Sequence, residues 1–223
     1  MACSSAKKRG TALPTPYRNR SATRERLVRA VGTLLAHKGF TALGVNAVAK
    51  EAGVDKVLIY RYFGGMPELL KTFAGSGEFW PSIEELTGGD TATLRQMPLS
   101  ESTAIIMRNY IKGLRRRALT QEILAWEAVE SNELTQILDN IREEVSMALF
   151  KELSPSLKGT DADVAAITAL LAAAVNYLLI RSRTIRTFNG VDIRSEEGWK
   201  QLETAIIAVC QQCFAPRESP KKK

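Results

Sequence analysis

Cys210 and Cys213 stand three residues apart, the spacing of half a zinc knuckle or of a thiol–disulfide couple. A tetrahedral zinc site needs four ligands, and no further cysteine or histidine lies near this pair. Redox chemistry of the thioredoxin kind would want a strand ahead of it. The pair therefore reads as core or interface packing. The one histidine, His37, has no partner motif and reads as structural. Gly75-Ser76-Gly77 lacks the third glycine and the preceding strand of a nucleotide loop, and the HExxH, GxxxxGK[ST] and GxSxG signatures do not occur. The expectation is a chain that is not an enzyme, with no cofactor and no metal site.

Chemistry with phosphate is better supported. Residues 1–64 carry 12 Lys/Arg against 3 Asp/Glu, a surplus of +9, while residues 65–223 carry 19 against 21, a net of −2. Each Lys or Arg that neutralises a phosphate on duplex DNA releases a counterion, so a charge concentrated at one end of a chain suits binding to a nucleic acid.

The elements that would present that charge are short helices. Val45, Val48, Ala49 and Ala52 share one side of a helix, and Val54 precedes a second one built on Val57, Leu58 and Ile59. Gly53 between them can take positive φ and end the first, while Asp55 offers a carboxylate to the free N–H groups that start the second. Two short helices at a tight turn cannot bury their own apolar faces, but they can push the second into a major groove. A helix from Ser21 or Thr23 to Lys38, with Leu27, Ala30, Val31, Leu34 and Leu35 at helical spacing, ends at Gly39 and roofs the pair.

The remainder reads as helix throughout, over about 100–119, 121–130, 133–153, 161–186 and 195–214, with breaks at Thr87–Asp90, Ser154-Pro155 and Phe188-Asn189-Gly190. At 223 residues and 45% hydrophobic content the chain affords a sizeable core. Residues 164–180 are uncharged, but 17 residues bracketed by Asp163 and Arg181 suit a buried helix of a soluble protein better than a membrane span. Three cysteines and no apolar leader point to a reducing, cytoplasmic setting. The last two helices are apolar over a wide arc, as in a dimer interface built as a four-helix bundle from two chains; a monomeric core is the other reading.

The order GF, VAKEAGV, IYRYF, ELL over residues 23–70 resembles the TetR-like one-component transcription regulators. The resemblance implies an all-α homodimer. Its domains would be a basic flexible arm (1–20), a helix-turn-helix DNA-binding domain (21–65), a connector helix (66–78), a regulatory and dimerisation domain (79–216) and a disordered basic tail (217–223). Most such proteins are repressors that leave a double-stranded operator when a small-molecule effector binds. A helical adaptor of the same fold that has lost DNA binding is the alternative. Carried over by position, the DNA-contacting residues are Asn46, Lys56, Val57, Leu58, Tyr60, Arg61 and Tyr62. Asn46 suits an adenine edge, Lys56 a guanine or a phosphate, Val57 and Leu58 thymine methyls, and Tyr60 a phosphate.

Two positions depart from the family pattern. Gly44 stands where a Ser/Thr cap is common, and Met66 where a phosphate-holding lysine is common. The arm, with Arg18 and Arg20, is either a solvated tail or a source of added phosphate or minor-groove contacts. An effector pocket is expected between the middle helices around Trp80, Met107, Tyr110, Trp126, Glu127 and Asn176, with Phe79, Met147 and Glu130 close by. The acids near Trp126 favour a cationic or hydroxyl-bearing ligand, and Arg115, Arg116 and Arg117 equally suit an anion.

Overall fold

The computed structural model describes residues 16–153 and 163–215. Cys3, the first 15 residues of the arm, the Ser154-Pro155 break and the tail lie outside them. Helix α1 (Pro16–Lys38) begins at Pro16, so the reading of residues 1–20 as an unstructured arm is corrected for its last five positions. Proline is compatible with a helix start because its missing N–H has no intrahelical acceptor there, and Arg20 in the second turn stacks on Tyr62 at 5.3 Å.

Leu27, Val31, Leu34 and Leu35 of α1 are buried. Gly39, at φ +72, returns its N–H to Leu35 O at 3.1 Å and lets Phe40 and Leu43 fold back under the helix. Helix α2 (Val45–Ala52) starts from an extended Gly44 that supplies no side-chain cap, and it ends at Gly53, φ +62, whose N–H reaches the carbonyls of Ala49 and Lys50. Asp55 accepts from Val57 N–H at 2.8 Å and starts α3 (Val57–Phe63). Helix α4 (Met66–Ala74) opens with Pro67 in its first turn and Glu68 beside it, where an acid complements the helix dipole.

Two short helices, α5 (Ile83–Thr87) and α6 (Thr91–Leu94), follow where no helix was expected. Four or five residues give periodicity nothing to register, but their caps are legible: Ser82 accepts from Glu85 N–H and Asp90 from Thr93 N–H. Then come α7 (Leu99–Arg115), α8 (Ala118–Glu127), α9 (Glu133–Leu153), α10 (Val164–Ser182) and α11 (Glu196–Cys213). The break at Phe188-Asn189-Gly190 is a small hairpin, contrary to the strand-free reading. Thr187 faces Asp192 and Phe188 faces Val191, around Asn189 and Gly190 at positive φ, the preference of a two-residue primed turn.

Helix α1 packs on α2, α4 and α8; α4 lies against α9; α11 runs along α7, and α10 against α7 and α8. A continuous core reaches from Leu27 and Phe63 through Phe73 and Phe79 to Ile111, Leu179 and Cys210. Cys210 is buried, which pushes its thiol up, and Cys213 is exposed. Arg115 pairs with Glu196, and Arg116 and Arg117 both pair with Glu85. The three arginines offered for an anionic ligand are thus spoken for. Helix α10 is long and apolar enough by composition to cross a membrane, and in the single chain it is mostly open, with Leu170 72% and Tyr177 50% exposed.

Candidate nucleic-acid interface

The seven residues of α3 are sorted between core and solvent by helical period. Ile59 and Phe63 point into the head and are buried, whereas Val57 and Tyr60 are 60% and 57% exposed, alongside exposed Lys56 and Arg61. Asn46 is exposed on α2. Leu58 and Tyr62 are half-buried and pack against the core. Of the seven residues carried over by position, five therefore stand in solvent and two lean into the head. The outer face combines a lysine, an arginine, a phenol and an apolar side chain, groups that suit phosphate oxygens, base edges and thymine methyls.

What fixes α3 includes a residue the sequence reading passed over. Arg24 of α1 donates through Nη1 to Tyr62 O at 2.5 Å, and its guanidinium lies 4.4 Å from the centre of the Phe63 ring. A cation there satisfies a carbonyl that has no intrahelical partner and complements the negative end of the helix dipole. Arg20 sits one turn earlier on the same side of α1, over Tyr62. The i, i+4 spacing of two arginines was visible in the sequence, but its target 38 residues away was not.

Two routes join this head to the body. Along one, rings step from Phe73 of α4 to Phe79 (5.8 Å), Trp80 (5.8 Å) and Tyr110 of α7 (5.7 Å). Along the other, Trp126 of α8 donates its indole N–H to Ala36 O at 3.2 Å, and Glu130 accepts from Thr41 N–H at 3.0 Å.

A cavity of about 1090 Å³ opens between α7, α9 and α10. Trp80, Met107, Tyr110 and Asn176 line it, as does Met147. Trp126 and Glu127, grouped with them on sequence grounds, are absent from its wall: Trp126 faces the end of α1, and Glu127 lies behind Arg142. Tyr110 donates to Asn176 Oδ1 at 2.7 Å, and burial holds its phenol well above the usual range. Arg142, which was not anticipated, reaches both oxygens of Glu127 at 2.8 and 3.0 Å and also pairs with Asp139. Its guanidinium lies 5.6 and 5.5 Å from the Phe79 and Trp80 rings. Burial pushes the Glu127 carboxyl up against the pull of Arg142. Fifteen residues and a helix–helix turn separate the two partners, so no periodic signal links them.

Residues 27–72 match the bacterial regulatory proteins of the tetR family. No curated protein sequence matches the chain. Among solved structures, a putative tetR family transcription regulator from Shewanella sp. PV-4 aligns with a TM-score of 0.61 at 13% identity, covering 87% of this chain and 99% of that one. A TetR family transcription regulator from Marinobacter aquaeolei VT8 aligns at 0.58 and 16%, covering 90% and 100%. The multidrug binding protein EbrR, complexed with imidazole, aligns at 0.54 and 16%, covering 89% and 98%. The chain is thus TetR-like in two respects: its helix-turn-helix segment matches the tetR family, and its whole length shares the mainly helical fold of these structures.

Proposed function

We propose that the protein is a homodimeric transcriptional repressor that binds a double-stranded operator through Asn46, Lys56, Val57, Tyr60 and Arg61 and is released by a small-molecule effector held in the cavity. The observation that carries this reading is the face of α3. Ile59, Phe63 and Arg24 hold the helix from behind, while Lys56, Val57, Tyr60 and Arg61 are left in solvent on a head with a surplus of positive charge. The apolar side chain of Val57 is 60% exposed, and a base-pair edge would cover it.

The operator reading includes pairing of two chains through α10 and α11. Leu170, Tyr177 and Val209 are exposed apolar residues of those helices, and such a surface favours burial against a second copy. Two heads then meet adjacent major grooves only at a separation of about 34–36 Å. An effector that reshapes the cavity acts on that separation through the Phe73–Tyr110 ring series and through α8. A coupling of about 1–3 kcal/mol would change operator affinity roughly 5–150-fold. EbrR, which holds imidazole, gives a precedent for a small molecule within this fold.

The test is selection of bound fragments from random duplex DNA by the full chain, followed by gel shift. One sequence should emerge, and Lys56→Ala and Asn46→Ala should each cost about 1–3 kcal/mol where the side chain reads a base. No enrichment of any duplex would overturn the reading in favour of a helical adaptor.

A further inference from the structure

The head is anchored to the body where the chain leaves α4 and again where it leaves α1. After α4, which lies on α9, the chain runs through Gly75, Ser76 and Gly77. Arg117, just ahead of α8, fixes that exit by donating through Nε and Nη2 to Gly77 O at 3.2 and 3.0 Å. After α1, the end of α8 holds the turn toward α2 through one donor and one acceptor. Trp126 donates to Ala36 O, and Glu130 accepts from Thr41 N–H. The two side chains are kept in register with each other by the bond from Glu130 N–H to Trp126 O at 2.9 Å.

The first anchor alone would let the head turn about α4. Side-chain packing between α1 and α8, such as Leu119 against Gly32, is non-directional and tolerates sliding. Hydrogen bonds are directional and weaken steeply below about 120°. Both bonds of the second anchor end on backbone atoms of the head, which cannot follow a rotation by changing rotamer. This matters to a dimer that reads half-sites about 34–36 Å apart, one turn of the duplex. Each base pair added between them moves the second by about 3.4 Å along the axis and about 35° around it. A head free to turn follows that change, and a head anchored twice does not. We propose that Trp126 and Glu130 are positioning residues that set operator spacing: they fix the angle of each head and so restrict the protein to one half-site separation without touching DNA. The proposal rests on the reading of the chain as a dimeric operator-binding regulator and adds what selects the geometry of its operator.

The operator selected by the full chain is rebuilt with one base pair added to or removed from the segment between its half-sites, and each duplex is titrated by gel shift. The parent chain should lose about tenfold in affinity for either change, the factor carried by one charged hydrogen bond. Trp126→Phe keeps a ring and removes the indole N–H, and Glu130→Ala removes the acceptor. Each should relax the spacing preference in part, and the two together should reduce it to about threefold or less, about half of that free energy. Glu130→Gln, which keeps an acceptor oxygen at the same reach, should retain the parent's preference. All variants should select the parent's half-site sequence, a readout that fails if the head is misfolded. Variants that keep the parent's spacing preference, a parent with none, or a Glu130→Gln chain as relaxed as Glu130→Ala would overturn the proposal. A parent that enriches no duplex sinks the regulator reading and this proposal with it, whereas a spacing preference shared by parent and variants sinks this proposal alone.

Discussion

The indole N–H of Trp126 donates to the carbonyl of Ala36 at 3.2 Å, in the last turn of α1. Carbonyls in that turn lack intrahelical partners, so the body supplies one to the head at the point where the chain leaves α1 for the helix-turn-helix. Gly39 follows at φ +72, and a Cβ there would lie 2.3 Å from Glu130 Oε1 and 2.8 Å from the Trp126 ring. The backbone of the head is in contact with Trp126 of α8 and with Glu130 just beyond that helix, with no room to spare.

Gly39→Ala and Gly53→Ala therefore differ although both glycines are left-handed. Gly53, at φ +62, has nothing within 4 Å of its missing Cβ, so alanine there should cost about 1–2 kcal/mol for the backbone alone. At Gly39 the same cost is joined by displacement of Glu130 and Trp126, an overpacking term of about 1–3 kcal/mol. Urea unfolding of the two variants measures the difference, and equal losses would deny the contact.

Arg24→Met keeps an apolar stem under Phe63 and removes the bond to Tyr62 O. Loss of a charged hydrogen bond of about 1.5–3 kcal/mol should loosen α3 and weaken operator binding about tenfold or more. Arg29→Met removes the same charge from an exposed position of the same helix and controls for net charge. If the two variants weaken gel shift equally, Arg24 acts as a charge and not as a clamp on α3.

Leu170→Glu places a charge at the centre of the open face of α10. Light scattering at micromolar concentration should give a dimer for the parent chain and a monomer for the variant. The variant's melting temperature should be little changed by its surface position, to within about 0.5 kcal/mol of stability. A dimer that persists would move the interface elsewhere.

Glu85 ties α5 to the end of α7. The hydrogen bond from Arg117 is the largest influence holding its carboxyl below the usual range, with Coulomb attraction and Arg116 adding to it. A carboxyl lowered on folding contributes stability that is present above the ordinary glutamate value of about 4.3 and disappears as pH falls through the folded value. Urea unfolding across pH 5 to 3, a window of about two units around that value, should show a steep loss for the parent chain and a shallower one for Glu85→Gln. Parallel curves would remove Glu85 from the acid response.

The head was legible because its information is local. Gly39, Gly53 and Asp55 act on backbone within a few residues of themselves, and the alternation of buried Ile59 and Phe63 with exposed Val57 and Tyr60 follows from helical period alone. The hairpin at Thr187–Asp192 was legible in the same way, through Asn189-Gly190, but had been read only as a break. The short helices α5 and α6 fell below the length at which periodicity speaks.

From residue order alone came the class of fold, the place of the helix-turn-helix, the basic surplus of its end of the chain and the two apolar helices near the C-terminus, since each depends on spacing or composition within one segment. Tertiary structure decided the rest: that Trp126 faces Ala36 and not the cavity, that Arg142 closes on Glu127, that Arg24 holds the end of α3, and that one face of α10 stays open. Those pairings join helices whose separation in sequence carries no period, and only the packing of one helix against another selects which side chains meet.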